Sequence, residues 1–309
     1  PDTPYDLASL TKVLATTPAM MKLVEGGALS LDQPLADFYP LPVNDPKREI
    51  TLADLLSHQS GLPAWLPLYE EVDPEKMDPG TIRAAIIQRI LNTSLEYAPR
   101  SRAVYSDLGF ILLGDIVEQV TGVSLDTFCR DHFYQPLGLT SLRFNPPEEM
   151  RAAVPPTGTD ALRQQPIQGV VNDTNGFVLG GVAGHAGLFG NARDVAAWGQ
   201  LMIQRGIYEC QRMFRHRTVE RFCSRYNPRK HARALGWDTP TSGGSTGKYF
   251  SSRSIGHLGF TGTSLWVDLK REVVVVLLSN RVHPVAAQNR MNEIRPPLHD
   301  AIMEAIPKR

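Results

Sequence analysis

Six consecutive aliphatic residues near the end of the chain, Val273 to Leu278, constrain its fold more than any other feature. A strand sends alternate side chains to opposite faces, so a run without polar alternation is apolar on both. Two shorter runs precede it, Ser254–Gly259 and Thr263–Asp268, each closed by a turn, and the spacing predicts three successive antiparallel strands. As the last of the three, Val273–Leu278 would present a long hydrophobic edge. Nothing earlier offers a strand of comparable strength, so its partners are expected among strands that precede Pro1.

The chain ahead of these strands reads as helical. From Ser9 the apolar positions Leu10, Val13, Leu14, Met21, Leu23 and Val24 keep a helical period up to Gly26-Gly27. Pro18 lies inside that run, lacks an N–H and clashes with the Leu14 carbonyl, which predicts a kink or break. Thr51 caps a short helix closed by Ser60-Gly-Leu-Pro63, and Thr81 caps a second from Ile82 to Leu91. Further helices are predicted over Leu108–Val120, Ser124–Phe133, Ala192–Arg205, Thr218–Tyr226 and Arg290–Ile306, with a mostly irregular, Gly- and Pro-rich stretch from Asn145 to Gly190. Helices followed by an antiparallel sheet make an α+β arrangement. The expected organisation is a single domain over 1–309, with a sheet lobe from about 1–40 and 240–309 and a helical lobe of about 41–239.

Charge and cysteine content exclude several functions. Lys plus Arg and Asp plus Glu both number 32, which leaves no basic footprint for nucleic acid. The aliphatic run is far shorter than the ~20 residues a bilayer span needs. The three cysteines, Cys129, Cys210 and Cys223, have neither metal-ligand spacing nor a disulfide pattern, so no metal or cofactor is expected. Neither the compartment nor the oligomeric state is fixed by the sequence.

The chemistry points to Asp6-Leu-Ala-Ser-Leu-Thr-Lys12. Residues i and i+3 share a helical face, so the Lys12 amine can reach the Ser9 hydroxyl. A desolvated lysine can take a serine proton without a histidine, which makes Ser9 the candidate nucleophile and Lys12 its base. Ser245-Thr-Gly-Lys248 has the same spacing but lies in a loop-forming run. Tyr105-Ser-Asp107 sits at the mouth of the Leu108–Val120 helix. His58, at the end of the Thr51 helix, reads as a packing residue.

Ser9-Leu-Thr-Lys12, Tyr105-Ser-Asp107 and His257-Leu-Gly259, in that order and followed by strands, resemble the three motifs of the serine β-lactamase and penicillin-binding protein superfamily. The match is closest to its class C-like branch, which includes D,D-peptidases and carboxylesterases. Leu55–Pro63, Ala183–Asp194 and Gly259–Trp266 are also similar, so the resemblance covers essentially the whole chain. It implies an acyl-enzyme on Ser9, an oxyanion hole from the N–H groups of Ser9 and Phe260, and two strands before the serine helix that would complete the sheet. Gly259 would let the strand backbone approach the substrate.

Three positions depart from the family pattern: Asp107 for Asn, His257 for Lys and Leu258 for Thr. A neutral His257 and a nearby Asp107 both oppose ionising Tyr105, so Lys12 is expected as the initial base and Tyr105 as the relay to the leaving group. Asp107 is also expected to keep Lys12 protonated. With no fixed cation at 257 or 258 to receive a substrate carboxylate, the expected activity is a carboxylesterase on short acyl esters. The alternatives are a β-lactamase or D,D-peptidase, or a silent binding domain on the same fold. His185-Ala-Gly187, a second His-x-Gly, precedes a helix rather than a strand pair and is assigned to the loop.

Overall fold

The computed structural model describes residues 1–160, 162–227, 231–284, 286 and 290–307; the last two residues of the expected sheet lobe, 308 and 309, lie outside them. In chain order the elements are β1 (Tyr5–Asp6), α1 (Thr17–Glu25), α2 (Leu52–Leu56), α3 (Pro79–Asn92), α4 (Asp107–Thr121), α5 (Leu125–Cys129), β2 (Arg143–Phe144), α6 (Glu148–Arg151), α7 (Thr174–Val178), β3 (Leu188–Gly190), α8 (Ala192–Ile203), β4 (Ile207–Tyr208), β5 (Gln211–Arg212), α9 (His216–Cys223), β6 (Ser254–Leu258), β7 (Ser264–Asp268), β8 (Val273–Leu277) and α10 (Met291–Ala305). This is the α+β arrangement that the sequence predicts.

The three predicted strands form one antiparallel sheet in the order β6-β7-β8, with Trp266 facing Gly256 on one side and Val275 on the other. Both faces of β8 are covered, as an all-aliphatic strand requires. Val274 and Val276 pack into the main core beneath α8, while Val273 and Val275 join Phe250, Trp266 and Met303 of α10. Its outer edge pairs with no strand among the described residues.

A second small sheet, β1-β3-β2, escaped the sequence reading. Its strands are two or three residues long, too short to show a period of two. It closes the Asn145–Gly190 stretch onto the segment just ahead of Ser9, with Asp6 paired to Phe189. The α3 helix begins earlier than predicted. Asp78, not Thr81, is its cap and accepts the Thr81 N–H at 3.0 Å, with Pro79 at the first helical position.

The first helix is not broken at Pro18. A 3-10 turn at Ala8–Leu10 runs into a π turn at Lys12–Thr16 and then into α1, so the proline falls in the first turn of an α-helix, where its missing N–H costs little. The Leu14 carbonyl that Pro18 cannot satisfy accepts the buried Tyr134 hydroxyl at 3.0 Å instead. Tyr134→Phe removes that donor and keeps the ring, so it should destabilise the protein by about 1–3 kcal/mol in urea unfolding. A loss within about 0.5 kcal/mol, the ordinary scatter of neutral changes, would mean that the Leu14 carbonyl has another partner.

Candidate active site

Lys12 is completely buried; its amine donates to Ser9 Oγ at 3.1 Å and to the His185 carbonyl at 2.9 Å and is ion-paired with Asp107 Oδ1 at 2.7 Å. Two acceptors and a carboxylate around one amine match its charged form. Burial lowers the Lys12 pKa from its usual value, and the adjoining Asp107 carboxylate pulls it back up. On the other side of Ser9, the Tyr105 hydroxyl lies 2.7 Å from Oγ. Burial, reinforced by Asp107, holds the Tyr105 pKa well above 10, so it is a phenol and a donor.

Local bonds explain why Tyr105 and Asp107 meet Lys12. Asp107 is the first residue of α4, and its N–H donates to the Ala64 carbonyl at 2.9 Å. The Ser106 hydroxyl donates to the Pro63 carbonyl at 2.6 Å and the Val104 N–H to the His58 carbonyl at 3.0 Å. The 58–64 loop therefore serves as a template for the Tyr105 triplet. His58 does more than fill space: its Nδ1 accepts the Ser106 N–H at 3.1 Å, and its ring packs 4.8 Å from that of Tyr105, tilted by 40°. Burial, with Arg233 and Lys12 nearby, keeps its pKa well below 6.5.

His185 is also closer to the chemistry than its assignment to a plain loop implied. It lies three residues before the start of β3, which pairs with both β1 and β2, and its carbonyl caps Lys12. The carbonyl is held in place from both sides, by His185 Nε2 on Asp173 at 2.8 Å and by Thr16 Oγ1 on the Gly184 carbonyl at 2.6 Å. Gly184 must be glycine, because a Cβ there would meet the Phe110 carbonyl at 2.0 Å. Burial raises the Asp173 pKa, but His185 and the Gly176 N–H outweigh it and hold the carboxyl below its usual range.

The third motif closes the site. His257 is buried on β6, 5.8 Å from the Tyr105 ring, and its Nδ1–H donates to the Leu258 carbonyl at 2.8 Å. Nε2 is buried and unpartnered among the described residues. Burial lowers the His257 pKa to about 4. After Leu258 the chain turns through Gly259–Thr263, and this turn is tied to the backbone before Ser9 by Thr261 Oγ1 on the Asp6 carbonyl (2.8 Å) and Thr263 Oγ1 on the Leu7 carbonyl (3.1 Å). That packing itself requires Gly259, since a Cβ would meet the Leu7 carbonyl at 2.7 Å and Thr263 Oγ1 at 2.0 Å. Phe260 is exposed on the turn, with the Arg281 guanidinium 4.4 Å from its ring.

Beside Leu258 opens a cavity of about 500 Å³ lined by Arg233, Asp238, Thr241, Ser245 and Trp266. Ser245, from the second Ser-x-x-Lys, is thus in a loop near the site but not in its centre. Arg233 and Asp238, which the sequence reading did not single out, form an ion pair, with the Arg233 guanidinium 5.8 Å from the Tyr105 ring. Nothing local marks that pair, because it is built by an isolated bridge between the two residues and by Asp238 pairing with Gly256. Among the described residues, no group of His, Cys, Asp or Glu is arranged to hold a metal ion, and no single helix is long and apolar enough to cross a membrane.

Residues 1–295 match the model of the family described as Beta-lactamase. A relative from Escherichia coli K12 named "Putative D-alanyl-D-alanine carboxypeptidase" is 35% identical over 316 residues, covering 93% of this chain and 71% of its own. Among solved structures, a penicillin-binding protein homologue from Caulobacter crescentus superposes with a TM-score of 0.68 at 20% identity, covering 91% of this chain and 78% of its own. The hydrolase EstCE1, described as having promiscuous acyltransferase activity, superposes with a TM-score of 0.73 at 19% identity, covering 98% and 85%. At such identities the structures speak to fold.

A buried imidazole with a depressed pKa stays neutral through the physiological range. The His257 ring signals in ¹⁵N-resolved NMR should therefore keep their neutral shifts from about pH 8 down to about pH 5 and move only near pH 4. Titration near pH 6.5, the ordinary value for histidine, would show that the ring is solvated or charge-paired.

Proposed function

The chain belongs to the beta-lactamase family and is a serine hydrolase of that kind, and from this premise we propose that it is a carboxylesterase acting on short, neutral acyl esters through Ser9. The observation that carries this reading is the state of His257. With its Nδ1–H committed to the Leu258 carbonyl, a neutral ring presents only the bare acceptor Nε2. That atom repels a substrate carboxylate, and Leu258 offers nothing in its place. The other charges cancel in pairs, Lys12 with Asp107 and Arg233 with Asp238. A neutral ester meets no uncompensated charge.

In this reading the Lys12–Asp107 pair is the proton store. Burial penalises both charges, so a proton passing from Nζ to Oδ1 across 2.7 Å leaves a neutral amine facing Ser9 Oγ. The amine then takes the Ser9 proton as Oγ attacks the ester carbonyl. Tyr105, on the other side of Oγ, gives its proton to the departing alkoxide and is restored from Lys12. Asp107, expected from sequence only to hinder Lys12, becomes the group that makes it a base. The N–H groups of Ser9 and Phe260 receive the oxyanion, where one donor is worth about 10²–10³ in rate. Water repeats the cycle on the acyl-enzyme.

A second reading is favoured by Arg233. If substrate displaces Asp238 from it, the guanidinium can receive a terminal carboxylate, which is the chemistry that the name of the Escherichia coli relative carries. One comparison separates the two: kcat/KM for p-nitrophenyl acetate against a chromogenic cephalosporin and a peptide ending in D-Ala-D-Ala. Lacking one charge-assisted contact costs ~1.5–3 kcal/mol, so the ester should lead by about tenfold to a hundredfold. Equal or higher values for the anionic substrates, lost in Arg233→Gln, would replace the esterase assignment with the second reading.

A further inference from the structure

Asp6 stands three residues ahead of Ser9 and is buried, and its carboxylate accepts two backbone N–H groups: Ala8 on Oδ1 at 2.8 Å and Asn172 on Oδ2 at 2.6 Å. Among the described residues it forms no ion pair. The Ala8 bond spans a strained point. Ala8 has a φ of 47°, the left-handed region that a residue with a Cβ enters at a cost of roughly 1–2 kcal/mol. There the chain leaves β1, reverses and enters the turn that carries Ser9.

The Asn172 bond reaches into the long irregular stretch. Arg163 donates to the Asn172 carbonyl at 2.7 Å, and the next residue, Asp173, holds His185, whose carbonyl takes the Lys12 amine. The dipeptide 172–173 thus grips the turn at both ends, ahead of Ser9 through Asp6 and behind it through His185. Only a carboxylate accepts on both oxygens. Asparagine would turn an amide N–H₂ toward one of the two donors.

We propose that Asp6 is a positioning residue for the nucleophile, holding the strained Ala8 turn and locking the Asn172–His185 segment so that Ser9 Oγ stays within reach of both Lys12 and Tyr105. The inference rests on reading Ser9 as the nucleophile. Its consequence is a pH dependence that none of the site histidines described as depressed explains. Burial pushes the Asp6 carboxyl up to about 6, against the pull of its two N–H partners; Asp173 and Arg163 are the charged groups that face it, the first raising and the second lowering it. Protonation removes the charge that strengthens both bonds and leaves one oxygen a hydroxyl, a poorer acceptor. The two bonds weaken, and the turn loosens as pH falls through that value.

The test measures kcat and KM for p-nitrophenyl acetate from about pH 5 to about pH 8. Wild type should lose kcat on the acid side through a single proton near pH 6 while its near-UV circular dichroism is unchanged. Asp6→Asn should lower kcat by about tenfold to a hundredfold at its best pH, because small displacements of a reacting atom cost that much. KM should stay within about threefold, and the acid limb should vanish, since the variant cannot titrate there. A merely structural role would lower Tm and the active fraction but leave the limb in place. Should Asp6→Asn fail to fold, the wild-type profile still decides. A profile flat through pH 6, a limb that survives in Asp6→Asn, or an Asp6→Asn kcat within about twofold of wild type overturns the proposal. Ser9→Ala is the control: turnover that survives it sinks the nucleophile reading, whereas a dead Ser9→Ala beside an indifferent Asp6→Asn sinks this inference alone.

Discussion

One buried ammonium organises this molecule. Lys12 has no exposed surface, and an unpaired charge in that position would cost several kcal/mol. Three separate parts of the chain come together to meet it: the Ser9 turn, the first residue of α4 through Asp107, and the Asn145–Gly190 stretch through the His185 carbonyl. The surrounding architecture follows from keeping those acceptors in place. The 58–64 loop fixes the Tyr105 triplet, and β3 and Thr16 fix the chain on either side of His185. In the proposed mechanism this buried charge is also the one whose proton moves.

The helix that carries Lys12 shows how tertiary contacts override local rules. Taken alone, Pro18 predicts a break between the serine and the rest of the helix. A π turn and the Tyr134 hydroxyl remove both objections to continuity, the missing donor and the orphaned Leu14 carbonyl. Ser9 and Lys12 remain one turn apart at the head of a long, mostly buried element. A rigid support of this kind is what a preorganised nucleophile requires.

How much of this the sequence discloses depends on whether a contact is local. Ser9 and Lys12 could be paired from spacing alone, because i,i+3 geometry is a property of the backbone. The three C-terminal strands were legible from length and turn residues, and Val273–Leu278 was correctly read as apolar on both faces. The start of α3 was misplaced because the apolar period begins at Ile82 while the capping signals, Asp78 and Pro79, lie before it. His185 went unrecognised for a plainer reason: it contributes a carbonyl to Lys12, and a backbone oxygen leaves no mark in a sequence. Arg233 and Asp238 meet through bridges between distant segments, and β1-β3-β2 is built from strands too short to carry a pattern.

The central claim is that Ser9, activated by the buried Lys12–Asp107 pair, is the atom that attacks. Its most direct test is to treat the protein with a fluorophosphonate, digest it and locate the adduct by mass spectrometry. One adduct per chain on the peptide carrying Ser9, absent when Lys12 is replaced by alanine in a folded variant, is the predicted result. An adduct on another serine such as Ser245, or an unlabelled protein that still hydrolyses p-nitrophenyl acetate, would contradict it.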